Sequence, residues 1–96
     1  MIQRTLLIRT RLGLHARAAA KLVRVASGFQ SNVSLRRLDG DNSADAKSSL
    51  SVLMLAASCG TPLEASVEGV DEEAAMTAVE RLFTEGFGEL EPESSL

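Results

Sequence analysis

Residues 13–26 read Gly13-Leu14-His15-Ala16-Arg17-Ala18-Ala19-Ala20-Lys21-Leu22-Val23-Arg24-Val25-Ala26. From His15 onward the run is rich in alanine, which has no side-chain entropy to lose in a helix, and in other good helix formers. Ala19, Leu22, Val23 and Ala26 recur at the spacing that places them on one face, whereas Arg17, Ala20, Lys21 and Arg24 fall mostly on the other. The pattern predicts an amphipathic helix with a tight, small-residue buried face. Gly28 suits the left-handed position that closes a helix, with Phe29 folding back onto Val23, so the helix is expected to stop near Ser27.

The flanking segments have strand character. Residues 2–8 mix Ile, Leu and Thr with isolated polar residues over a strand's length and carry no helix start signal. After the helix, Val33 and Leu35 alternate with polar neighbours, and Asp39-Gly40 supplies turn chemistry before a short run near Ser43-Ala44-Asp45-Ala46, which predicts a hairpin. Leu63, Ala65 and Val67 alternate with Glu64, Ser66 and Glu68, the signature of a half-buried strand. Between these lies a short helix over Ser48 to Ala57, with Ser48 or Ser49 as N-cap and with Gly60 and Pro62 to end it. A last helix begins at Asp71, carries acids in its first turn and an apolar stripe of Ala75, Val79, Leu82 and Phe83, and closes near Gly86. The order β-α-β-β-α-β-α predicts an α+β fold in which helices cover one face of an antiparallel sheet. Residues 1–88 form the expected domain, and the acidic residues 89–96 read as a disordered tail.

Length and composition agree with a single small domain. The chain has 96 residues, of which 45% are hydrophobic and 24% charged, enough for a modest core without metal or disulfide staples. A folded monomer is expected. The formal net charge of -3 hides an asymmetry: eight of the ten Lys and Arg residues precede Asp39, and all thirteen acids lie from Asp39 onward. A cationic first half could attract a phosphorylated site, an acidic protein surface or nucleic acid. Nucleic acid fits poorly, because the second half is acidic and the aromatic platform of single-strand binders is missing.

The chemical interest centres on His15, the one histidine. At a helix start the first backbone N–H groups have no intrahelical acceptor, and together with the helix dipole they favour anions. The amides of Ala16, Arg17 and Ala18 are therefore candidates to bind a phosphoryl group. Neutral imidazole is the nucleophile phosphoryl transfer requires. Arg17, two residues on, carries a planar, permanently charged fork suited to phosphoryl oxygens. Positioning and charge neutralisation dominate this chemistry, so one histidine, a few amides and an arginine can suffice. On position alone, His15 could equally be an N-cap and Arg17 a solvated charge.

The stretch Gly13-Leu14-His15-Ala16-Arg17-Ala18-Ala19-Ala20 resembles the active-site signature of the HPr family of histidine phosphocarriers: a glycine, an apolar residue, the histidine, a small residue and an arginine. The resemblance spans residues 2–87. It implies an open-faced β-sandwich of four antiparallel strands and three helices. It also implies phosphorylation of His15 at Nδ1 by an Enzyme I-type protein charged from phosphoenolpyruvate, then transfer to an Enzyme IIA-type acceptor. No cofactor and no metal site are expected. Many family members have proline where this chain has Ala18; proline presets φ in the first turn, and alanine reaches the same conformation with more freedom.

Two further features follow from the resemblance. Lys47-Ser48-Ser49-Leu50 is similar to the segment in which some members are phosphorylated by an ATP-dependent serine kinase, which makes Ser48 the matching position; an ordinary N-cap is the other reading. The outward side of the first helix (Arg17, Ala20, Arg24) and the short helix (Ser49, Leu50, Leu53) are implied to dock both donor and acceptor. By spacing alone Leu50, Leu53 and Met54 read as core, with at least one left open to a partner. The runs Leu53 to Ser58 and Leu82 to Gly88 look most like the nitrogen-related branch, NPr, with a sugar-uptake HPr as the other option.

A different class remains on sequence grounds, a noncatalytic α+β regulatory or small-molecule-binding domain. Reactive-thiol chemistry at Cys59 is not expected, and a partly buried structural cysteine is. One cysteine, no signal-peptide pattern at residues 1–9 and no run of roughly 18 apolar residues together point to a cytoplasmic location without membrane insertion.

Overall fold

The strands β1 (Ile2–Leu7), β2 (Asn32–Arg37), β3 (Ser43–Asp45) and β4 (Pro62–Glu68) join in one antiparallel sheet ordered β1-β4-β2-β3 in the computed structural model, which describes residues 1–88. The segment expected to be a tail, residues 89–96, lies outside the described residues. Register follows the hydrophobic alternation: Leu6 faces Leu63, Val33 faces Val67 and Leu35 faces Ala65. Because side chains alternate faces with a period of two, this pairing puts Leu6, Val33, Leu35, Leu63, Ala65 and Val67 on one side, while Leu7 of β1 is left exposed. The opposite side is polar and open, with Arg36 on β2 paired to Glu64 on β4 at 3.2 Å.

Three helices cover the apolar side: α1 (Ala16–Ser27), α2 (Ser49–Met54) and α3 (Glu72–Thr84). Leu22 of α1 and Val79 and Phe83 of α3 are buried with Leu35, Leu63 and Val67 of the sheet. Each such side chain stabilises the fold by about 1.5–3 kcal/mol relative to leaving it in water. The element order and the one-sided coverage are those the sequence predicts.

Several local expectations change. Gly28 does not take the left-handed position; it has φ -76° and ψ -4°. Here α1 tightens instead, the Gly28 and Phe29 N–H groups donating to the Val25 and Ala26 carbonyls at 3.1 and 3.2 Å. Those short-range bonds satisfy the terminal carbonyls without a left-handed residue. The second helix ends at Met54 rather than Ala57, well before Gly60. Leu55 and Ala57 are both buried, and the chain turns between them with Ala56 at φ +53°. A continued helix would swing these two residues to different faces, so burying both requires the break.

At the start of α3, Asp71 is the N-cap residue, but its side chain makes no cap bond to its own helix. Its carboxylate instead accepts from the Ser31 hydroxyl and from the Gln30 and Ser31 amides, tying the α1–β2 loop to α3. The Ser31 hydroxyl, followed by the Gln30 amide, holds this carboxyl below its ordinary range. After α3 the chain makes a last 3-10 turn, Gly86–Gly88, in which Phe87 has φ +57° and is fully buried. The left-handed backbone at a bulky residue is offset by packing of its ring on Phe83, with centroids 4.9 Å apart. Nothing in residues 82–88 read as a sequence marks Phe87 as core.

Candidate active site

His15 is the N-cap of α1. Its backbone is extended (φ -76°, ψ -179°), its carbonyl accepts from the Ala19 N–H at 2.8 Å, and its Nδ1 accepts from the Arg17 N–H at 3.2 Å. Ala19 is thus the first amide of α1 to find an acceptor along the helix. The earlier amides, of Ala16, Arg17 and Ala18, belong to the set that a helix leaves for caps and anions, and the one on Arg17 is taken by the histidine ring. A neutral imidazole whose Nδ1 accepts an N–H carries its proton on Nε2.

The loop leading to His15 is built to hold it in place. Leu14 is buried, and its N–H donates to the Ala57 carbonyl at 2.9 Å. Gly13 has φ +69°, and a Cβ placed there would come within 2.5 Å of that same carbonyl oxygen. Only glycine tolerates both the left-handed backbone and the close approach. Gly13 is therefore a positional requirement of the site, which the sequence records as the residue two before the histidine. On the other side, Ala18 is completely buried, an anchor of the first turn and not a surface residue.

Around His15 lies a shallow, open depression lined by Thr10, Arg11, Leu12, Arg17, Lys21 and Gly88. Arg17 is exposed and shares this depression with His15, as the sequence predicts. Arg11, Leu12 and Lys21 are additions that sequence spacing did not single out. Lys21 donates to the Phe87 carbonyl at 2.6 Å, and Arg9 donates to the Thr84 carbonyl at 2.6 Å, so two cations of the basic half hold carbonyls at the end of α3 and in the turn that follows it. Leu12, on the rim, is 74% exposed.

The short helix lies next to α1, and its N-terminus is capped by Ser48, whose Oγ accepts from the Ser51 N–H at 3.3 Å. Val52 is its one buried residue. Leu50, Leu53 and Met54 are 66%, 40% and 72% exposed, which overturns the default placing of all three in the core. A six-residue helix can turn few side chains inward, and here Val52 alone is turned toward the core. Ser49 is exposed too, as are Ala20 and Arg24 on α1. Cys59, expected to be partly buried, is exposed on the turn at residues 58–61; its Sγ lies 3.9 Å from the Arg9 carbonyl. Among the described residues no group of His, Cys, Asp or Glu could hold a metal ion, and no helix is long and apolar enough to cross a membrane.

The model of the phosphotransferase-system HPr component, described as its phosphorylation site, matches residues 2–85. This chain belongs to the HPr family. It is 44% identical over 89 residues to the phosphocarrier protein HPr of Xylella fastidiosa, covering 93% of this chain and 98% of that one. It is 40% identical over 88 residues to the phosphocarrier protein NPr of Escherichia coli, covering 92% and 97%. The crystal structure of HPr from Thermoanaerobacter tengcongensis superposes with a TM-score of 0.87 at 36% identity, covering 95% of this chain and all of that one. As an HPr-family member the chain is a phosphocarrier of the phosphotransferase system, and the noncatalytic alternative is not favoured. Both branch names occur among relatives of similar identity, so overall identity does not separate HPr from NPr.

Proposed function

We propose that His15 is the group that carries the phosphoryl, with Arg17 and the amides of Ala16, Arg17 and Ala18 as its binding partners. The observation that carries this reading is the 3.2 Å bond from the Arg17 N–H to Nδ1, at the start of α1 and inside a depression bordered by Arg11, Arg17 and Lys21. The Nδ1 lone pair is the nucleophile. When the ring turns this lone pair toward an incoming phosphoryl group, the Arg17 N–H is released and becomes a donor for a phosphoryl oxygen. An N–P bond forms at Nδ1 as the donor's bond to phosphorus breaks, the leaving group takes that electron pair, and the guanidinium of Arg17 neutralises charge on the equatorial oxygens. The product anion then sits where the helix dipole favours it.

The donor is an Enzyme I-type protein charged from phosphoenolpyruvate and the acceptor an Enzyme IIA-type protein, met in the cytoplasm by a monomeric carrier. Arg17, Ala20 and Arg24 on α1 with Ser49, Leu50 and Leu53 on α2 form the docking face: cations at the rim speed encounter with acidic partners, and the exposed leucines supply apolar contact. Ser48 is the site at which a serine kinase would add charge to this face. Incubation with phosphoenolpyruvate and an Enzyme I-type protein is expected to give an acid-labile, alkali-stable phosphoprotein, and His15→Ala is expected to abolish the label while the protein stays folded. Equal labelling of the mutant would place the phosphoryl elsewhere.

A further inference from the structure

Three consecutive carbonyls follow α2, and two different parts of the molecule hold them. The Leu55 and Ala56 oxygens accept from Nη1 of Arg37 at 3.2 and 3.1 Å. The Ala57 oxygen accepts from the Leu14 N–H at 2.9 Å, one residue before His15. Arg37 stands at the end of β2, and its Nε and Nη2 donate to the two carboxylate oxygens of Asp39, each at 2.8 Å. Its guanidinium is thus fixed through all three nitrogens, a fork geometry that lysine cannot reproduce. The carbonyls it meets are those at the C-terminal end of a helix, where partial negative charge gathers and a basic side chain is favourable. Ala56 lies between them at φ +53°, a conformation an alanine keeps only when its surroundings hold it there.

We propose that Arg37 is a positioning residue for phosphoryl transfer: by holding the Leu55 and Ala56 carbonyls it sets the chain reversal from which the Ala57 carbonyl seats Leu14 and, next to it, His15. This rests on the reading of His15 as the phosphoryl-carrying group. The neighbouring Arg36 has the same charge but turns to the open side of the sheet, where it pairs with Glu64, and so serves as a charge-matched control. Gly13 makes the coupling tight, because its backbone is packed against the same Ala57 oxygen with no room for a Cβ. A shift of the reversal cannot be absorbed there and must be passed to the histidine.

The test combines the rate of phosphoryl acceptance from a charged Enzyme I-type protein with amide hydrogen exchange at Leu14. Arg37→Ala is expected to lower the rate about three- to tenfold, a partial misplacement by the scale of effects that geometry has on reaction rates. It is also expected to speed exchange of the Leu14 amide while Val33 and Leu35 in the sheet keep their protection. Adding Ala56→Gly should restore both readouts, since glycine adopts the left-handed turn unaided. Arg36→Ala should behave as wild type. Asp39→Ala, a change at an exposed residue that frees one side of the guanidinium, is expected to give a smaller loss in the same direction and tests the idea even where Arg37→Ala does not fold. Native rate and native Leu14 protection in Asp39→Ala, with Arg37→Ala native or unfolded, would overturn the proposal. So would an equal loss in Arg36→Ala, or a loss that Ala56→Gly does not relieve. If the wild type accepts no phosphoryl, the reading of His15 fails instead, and the Leu14 exchange still reports whether Arg37 holds the seat.

Discussion

The helices α1 and α2 begin in the same way and end with opposite roles. Each starts on a residue with extended backbone whose side chain accepts an N–H from the first turn: His15 from Arg17, Ser48 from Ser51. But α1 runs for 12 residues and buries Ala18, Ala19, Leu22 and Ala26, whereas α2 runs for 6 and buries Val52 alone. The longer helix has enough buried surface to serve as a fixed platform, so its cap can be given to chemistry. The shorter one leaves Leu50, Leu53 and Met54 facing outward and is held at its far end by Arg37. A cap residue therefore does not announce a role; what the rest of its helix buries does.

The comparison is tested most severely by truncating the same side chain on each helix. Leu22→Ala, in the centre of the buried face of α1, is expected to lower unfolding stability by about 2–5 kcal/mol, measured by denaturant titration. A loss under about 1 kcal/mol would mean that α1 is not the platform described. Next comes the cap of α2: Ser48→Ala should cost about 1 kcal/mol and leave His15 phosphorylation intact, because the bond it removes is local to that helix. Smallest in stability are Leu50→Ala and Met54→Ala, expected within about 0.5 kcal/mol of wild type because both side chains are already in water. Their effect should appear in partner binding, as a raised KM for the Enzyme I-type donor. A large destabilisation from either would return α2 to the core, and an unchanged KM would remove it from the docking face.

Much of the fold was legible because its signals are local and periodic. The alanine-rich run, the alternation in residues 63–68 and the Asp39-Gly40 turn each predict their element from neighbours along the chain. His15 was legible for the same reason: a lone histidine at a helix start, two residues from an arginine, is a local pattern. The end of α2 was not, because Leu50 to Leu55 is apolar enough to continue as helix, and the break comes from burying Leu55 and Ala57 together. Gly28 misled because a glycine permits the left-handed turn without requiring it. Phe87 was missed because its burial depends on Phe83 and on Lys21 gripping its carbonyl, contacts the linear order does not reveal.

What the sequence determined by itself was the order of elements, the buried faces of the strands and the longer helices, and the place of the histidine and its arginine at a helix start, since all of these are set by short-range propensity and periodicity. The tertiary structure decided which apolar residues stay outside, why residue 13 must be glycine, and that Arg37 holds the chain reversal whose next carbonyl meets Leu14. Those are matters of close approach between distant segments. Whether an oxygen of Ala57 lies against Gly13 depends on how a sheet and three helices pack, and no window of sequence contains both.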